Sequence, residues 1–192
     1  MNKTINATVK SLFSVSGIKT NEIFWILSFY LVTVASAQVV IPSFPAPFTL
    51  QTMAVLLSAA FLGSKNAAYT QMLYILTGFL GLPVFAGFSG GMLVIMGPTA
   101  GYLLAFPVAA FIAGYLIEKN KSLVSVVFSM TLASTVIVLS GALYLATVLG
   151  LEVYDALFKG AIIFSPFDIL KISAAAAIYS SFAKKYPRLP KI

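Results

Sequence analysis

The sequence predicts an all-α integral membrane protein, a single bundle of six membrane-crossing helices with both ends on the cytoplasmic side. Three observations carry that prediction. Hydrophobic residues make up 60% of the 192-residue chain and charged residues 9%, where a soluble domain carries about 25% charged residues. Mean hydropathy is +1.00. The basic residues fall on alternate connectors between apolar runs. So few charges cannot solvate so apolar a chain in water, whereas lipid tails solvate the outside of a bundle. The alternating apolar and polar strands of an outer-membrane barrel are absent.

The apolar runs are 23–41, 49–63, 66–82, 99–117, 122–149 and 162–183. Each reads as a helix, because backbone facing lipid must satisfy its own hydrogen bonds. The second and third are short for a full span, and the fifth is long enough to tilt or to project from the membrane. Residues 1–22 form a cytoplasmic arm or interfacial helix, 23–183 the membrane domain and 184–192 a basic tail. Ala35-Ser36-Ala37 before Gln38 has the small-residue pattern of a signal-peptide cleavage site, yet the first run is expected to stay in the bundle.

Sidedness comes from the basic residues. Lys3, Lys10, Lys19, Lys65, Lys119, Lys121, Lys184, Lys185, Arg188 and Lys191 all lie on one side of a six-helix arrangement. On the other side, Pro42–Phe48 and Leu82–Pro98 carry no charge, and the last connector has Lys159 beside Glu152 and Asp155. This bias places both termini in the cytoplasm. The net charge of +7 is thereby a topology signal and a contact for anionic lipid, not a nucleic-acid footprint.

Several chemistries are excluded. The chain has no Cys and no His, so it lacks thiolate ligands, the commonest metal ligand and the commonest general base. Gly63-Ser64-Lys65 lacks the upstream glycine of a phosphate-binding loop, so no means of using ATP is visible. Ser89 in Phe88-Ser89-Gly90-Gly91 has no His to activate it, which leaves only a Ser–Lys pair as a route to hydrolysis. No catalytic residue, resident cofactor or metal site is expected.

Two charges remain within an apolar run. Asp168 and Lys171 sit three residues apart, hence on one helix face, just after Pro166, a residue suited to a helix's first turn. A lone charge inside a membrane costs at least a few kcal/mol. The two either neutralise each other as an anchor or present an acceptor and a donor to a polar solute. A cavity fits the uncharged connectors. Residues 40–51 are stiffened by Pro42, Pro45 and Pro47 and lead into Thr49 and Gln51, while 82–98 is too apolar to be a solvated loop. Thr33 and Ala37, four apart on the first helix, would let another helix approach closely, within the bundle or from a partner.

An ordered set of motifs adds a resemblance. Thr49-Leu50-Gln51-Thr52, Gly81-Leu82-Pro83-Val84-Phe85-Ala86-Gly87, Ser89-Gly90-Gly91, Gly97-Pro98-Thr99-Ala100-Gly101-Tyr102-Leu103 and Asp168-xx-Lys171 resemble the BioY family. Its members are the biotin-specific substrate-binding (S) components of energy-coupling-factor (ECF) transporters. The similarity runs from the first helix to the sixth, with Ala100 standing where the family pattern has glycine. It implies a six-helix bundle holding biotin near the outer face. It also implies a transmembrane coupling subunit and two cytoplasmic ATPases as partners, which explains the missing ATP motif. It implies Asp168 and Lys171 as hydrogen-bonding partners of biotin, helped by Thr49, Gln51 and Tyr102. Phe85 and Phe88 would cover the rings, Ser89 and Gly90 would complete the site, and Thr33 and Ala37 would face the coupling subunit. The alternative function is a stand-alone secondary transporter of biotin or a related solute, against which stands the scarcity of membrane carboxylates for ion coupling.

Overall fold

Gly63 divides the longest helical stretch of the chain in two. In the computed structural model, which describes residues 20–186, 188 and 189, helix runs over Gln51–Phe79 but Gly63 has φ 76° and ψ 178°. The Gln51 carboxamide donates to the Tyr74 hydroxyl, and Gln71 Nε2 donates to Ser58 Oγ at 3.1 Å. In a straight helix rising about 1.5 Å per residue, Gln51 and Tyr74 would lie roughly 35 Å apart. The chain therefore reverses at Gly63 into two antiparallel arms, α2 (51–62) and α3 (64–79). This backbone region is open almost only to glycine.

The remaining elements follow in order: α1 (Thr20–Ala37), a hairpin of β1 (Val40–Ile41) and β2 (Phe48–Thr49), the α2–α3 pair, and a short α4 (Met92–Ile95). Then come α5 (Ala100–Lys119), α6 (Leu123–Leu149), a short α7 (Val153–Gly160) and α8 (Ser165–Ala183). Six long arms correspond to the six apolar runs. Of these, α5 and α6 are each long and apolar enough to cross a membrane on their own. The 27 residues of α6 extend about 40 Å, beyond a hydrocarbon core of about 30 Å.

Some boundaries differ from the sequence reading for local reasons. The first run was expected to be helical to residue 41, but α1 stops at Ala37. Val39, Val40 and Ile41 are β-branched, and Pro42 pushes the residue before it into an extended conformation. Val40 and Ile41 instead pair with Thr49 and Phe48, closing the Pro-rich segment into a hairpin. The last run begins with a 3-10 turn over Ile162–Phe164 before α8. The short helices α4 and α7 were not foreseen.

The α2–α3 pair packs against α1, α5 and α8, and α6 packs against α5, α7 and α8. A seam of small residues lets α5 approach its neighbours: Gly101, Ala105, Ala109 and Ala113 recur every fourth position and are all buried. The core is completed by Leu56, Leu62, Tyr74, Phe85, Met130, Ile137 and Tyr179.

The two ends of the bundle differ. At one end the α2–α3 turn, the end of α5 and the chain's tail converge. Glu118 Oε1 accepts the Ser64 N–H at 3.0 Å and Glu118 Oε2 the Ser64 hydroxyl at 3.1 Å. Arg188 pairs with Glu118 at 3.2 Å, and the Leu189 N–H donates to the Phe61 carbonyl at 2.7 Å. These contacts satisfy backbone groups that a helix turn leaves open. Lys65, Lys119, Lys121, Lys184 and Lys185 belong to this end. Lys3, Lys10, Lys19 and Lys191, with most of the expected arm over 1–22, lie outside the described residues. The β-hairpin, the 80–99 connector and α7 gather at the opposite end.

Candidate functional site

The loop-bearing end holds the buried charges. Pro166 and Asp168 fall in the first turn of α8 and Lys171 one turn later, which sets both charged side chains on the face toward α2. Lys171 Nζ lies 3.2 Å from Asp168 Oδ1 and donates to Thr52 Oγ1 at 3.1 Å. Asp168 also takes a side-chain hydrogen bond from Ser134 of α6. Both charged residues are 8% exposed. An ammonium has three N–H donors and a carboxylate about four lone-pair sites. After these pairings among the described residues, one lysine proton and several carboxylate lone pairs have no assigned partner.

Beside this cluster is a cavity of about 190 Å³ bounded by the β-hairpin, the 80–99 connector and helices α2, α5, α6 and α8. Its polar wall includes Thr49, Gln51, Thr52, Tyr102, Asp168 and Lys171, and its apolar wall includes Phe85, Leu103, Phe106 and Ile137. An apolar hollow with a few convergent polar groups is the usual form of a small-molecule site.

The walls are held by a hydrogen-bonded network. Thr49 Oγ1 lies 2.8 Å from Gln51 Oε1, and the Gln51 amide reaches Tyr74, whose hydroxyl donates to the Val84 carbonyl at 3.1 Å. Tyr74 meets Phe85 edge to face at 5.3 Å. The Tyr102 hydroxyl donates to the Gly160 carbonyl at 2.7 Å, tying the cavity wall to the end of α7. Phe48 of β2 and Phe167 of α8 lie 4.6 Å apart, packing the hairpin on the start of α8. The Ser89 hydroxyl donates to the Ala86 carbonyl at 2.8 Å, engaged in its own turn.

The structure brings Asp168, Lys171, Thr49, Gln51, Tyr102, Phe85 and Ser89 to one cavity. It places four others away from the cavity wall. Phe88 points away from the cavity and is 71% exposed, because Gly87 and Phe88 both have positive φ and turn the side chain outward. Gly90 does not line the cavity; a Cβ there would lie 2.2 Å from the Leu82 carbonyl oxygen, so its smallness serves the connector's fold. Thr33 and Ala37 are fully buried within the chain. Thr33 Oγ1 donates to the Phe29 carbonyl and accepts from Gln71, so these small residues pack α1 on its own bundle.

Residues that the sequence does not single out include Thr52, which holds Lys171, and Phe106, Ile137 and Ala46 on the cavity wall. Thr52 carries a signal, since it directly follows Gln51 at the polar start of a helix. Phe106 and Ile137 look like any other apolar residue in a membrane helix. Among the described residues no cluster of three or more potential metal ligands occurs.

A helical bundle whose acid–base pair opens on an apolar hollow has the form of a small-molecule site. A crystal structure described as the S-component for biotin from an ECF-type ABC transporter matches with a TM-score of 0.79 and 21% identity, covering 88% of this chain and 95% of that one; the two share a fold. The chain belongs to the BioY family, whose model matches residues 5–188. The biotin transporter BioY of Thermotoga maritima is 42% identical over 155 residues, 78% of this chain and 88% of the relative. A probable biotin transporter BioY of Pyrococcus horikoshii is 38% identical over 160 residues, 83% of this chain and 94% of the relative. The biotin transporter BioY of Rhizobium etli is 35% identical over 155 residues, 76% of this chain and 82% of the relative.

Proposed function

We propose that this protein is the biotin-binding S component of an ATP-driven ECF uptake transporter. It works as a six-span, N-in and C-in protein of the cell membrane. The observation that carries this reading is the cavity in which Asp168, Lys171 and Thr52 form a polar corner against Phe85, Phe106 and Ile137. Biotin has matching chemistry: a ureido ring with two N–H donors and one carbonyl, an otherwise apolar bicycle, and a tail ending in a carboxylate. In this reading Asp168 accepts from ureido N–H groups, Lys171 donates to the carbonyl or carboxylate, and Thr49, Gln51 and Tyr102 add hydrogen bonds. Phe85 packs on the rings.

Family membership and the segregation of basic residues to the end opposite the cavity support the orientation, which opens the site outward. The polypeptide does no covalent chemistry on its ligand. Its partners are membrane lipid, a transmembrane coupling subunit and two cytoplasmic ATPases, which supply the energy that this chain has no motif to harvest.

The test separates binding from pumping. Liposomes bearing the chain alone are expected to bind labelled biotin to saturation, yet not to accumulate it under an imposed proton or sodium gradient. Addition of the ATPase and coupling subunits with ATP should start accumulation. Gradient-driven accumulation by the chain alone would instead establish a secondary transporter.

A further inference from the structure

The segment 84–89 walls the cavity with Phe85, Ala86 and Ser89, and it does so in a conformation that needs support. Phe85 bridges to Ser89, with the Phe85 N–H donating to the Ser89 carbonyl at 2.9 Å. Between them Gly87 and Phe88 stand at φ 67° and 55°. Phe88 is the only non-glycine residue at positive φ among the described residues. A bulky residue there is strained and persists only where its surroundings over-determine it.

The support comes from one side chain outside the cavity. Gln38, immediately beyond α1, accepts the Phe88 N–H on Oε1 at 2.9 Å. Its Nε2 donates to the Phe85 carbonyl at 3.1 Å, with the Val34 and Val84 carbonyls also within reach at 3.3 and 3.5 Å. Both faces of one carboxamide thus grip the strained turn at its two ends and fasten it to the first helix. A carboxamide carries its N–H donors and its carbonyl acceptor side by side and without charge, a pairing that only Gln and the shorter Asn offer. Gln38 itself does not line the cavity.

We infer that Gln38 is a positioning residue for the binding cavity: its carboxamide holds segment 84–89 in the conformation that seats Phe85 and Ser89 on the ligand, and so sets how long a bound solute stays. The inference rests on the reading that the cavity holds biotin, but the grip on the segment can be measured without ligand.

In the full-length chain, Gln38→Met keeps the side chain's length and removes both hydrogen-bonding functions. Losing both hydrogen bonds is expected to speed dissociation of labelled biotin by roughly tenfold or more, with the number of sites per chain unchanged. Amide exchange of the 84–89 segment in ligand-free protein should quicken as well. Gln38→Glu keeps an acceptor for the Phe88 N–H and loses the donor to Phe85, and should fall between the two. A role confined to folding would lower the number of sites while leaving the dissociation rate of the remaining sites alone. Wild-type dissociation and wild-type exchange in Gln38→Met would overturn the inference; if that variant fails to fold, the same outcome in Gln38→Glu would do so. Should the wild-type chain not bind biotin at all, the substrate reading fails, and the exchange comparison still decides whether Gln38 holds the segment.

Discussion

Asp168→Asn is expected to weaken biotin binding at least tenfold while the bundle remains folded. Asparagine is isosteric, and its amide oxygen still accepts from Lys171, which keeps its bond to Thr52 at 3.1 Å. The local packing of α8 on α2 and α6 is therefore preserved. What is lost is the anionic acceptor. Hydrogen bonds to a charged group contribute about 1.5–3 kcal/mol against about 1 kcal/mol for neutral ones, and each 1.4 kcal/mol or so is a factor of ten. The change also leaves Lys171 as an unbalanced cation, a cost moderated by its place near the bundle's end, where its ammonium can approach polar groups. Calorimetric titration of the purified variant, with gel filtration to show monodispersity, checks both halves of the expectation. Unchanged affinity in a monodisperse variant would remove Asp168 from the site and leave the pair as an anchor.

The second large effect is structural. Gly63→Ala should lower the thermal stability of the detergent-solubilised chain by about 3 kcal/mol or more, summing backbone strain with the loss of a helix-capping contact. At φ 76° and ψ 178° the backbone is essentially closed to L side chains. A Cβ would also sit 2.2 Å from Glu118 Oε1 and 2.9 Å from the Arg188 guanidinium carbon. Glu118 would have to leave the Ser64 N–H that it caps, releasing the tail contact through Arg188 at the same time. Gly81→Ala is the informative companion. Gly81 has φ 96° but nothing within 4 Å of its would-be Cβ, so it reports strain without the clash and should cost less. A Gly63→Ala protein as heat-resistant as wild type would contradict the hairpin turn described here.

How much of this was legible in the sequence depends on the kind of signal. The long helical arms were readable because each falls on a long apolar run, and Gly63-Ser64-Lys65 marked a break between two of them. Asp168 and Lys171 stood out because charge in an apolar run is costly and needs a reason. The ends of α1 and α8 were misjudged by a few residues, since Val39-Val40-Ile41 is apolar whether it continues a helix or begins a strand. Phe85 and Phe88 are chemically alike in sequence; only two successive left-handed residues decide that one faces the cavity and the other does not. Thr33 and Ala37 show the same ambiguity for small residues, which permit close approach without saying whose helix approaches. Gln38 and Thr52 escaped notice because a neutral polar side chain declares its role through partners distant in sequence, Phe85 and Phe88 for one and Lys171 for the other.

The central claim is that this bundle is a binding protein for one vitamin. Isothermal titration of the purified chain with biotin, and with thiamine and riboflavin as controls, tests it directly. Tight saturable binding of biotin, about one per chain, with no heat from the other two is the predicted result. Silence with biotin, or equal binding of all three vitamins by monodisperse protein, would contradict it.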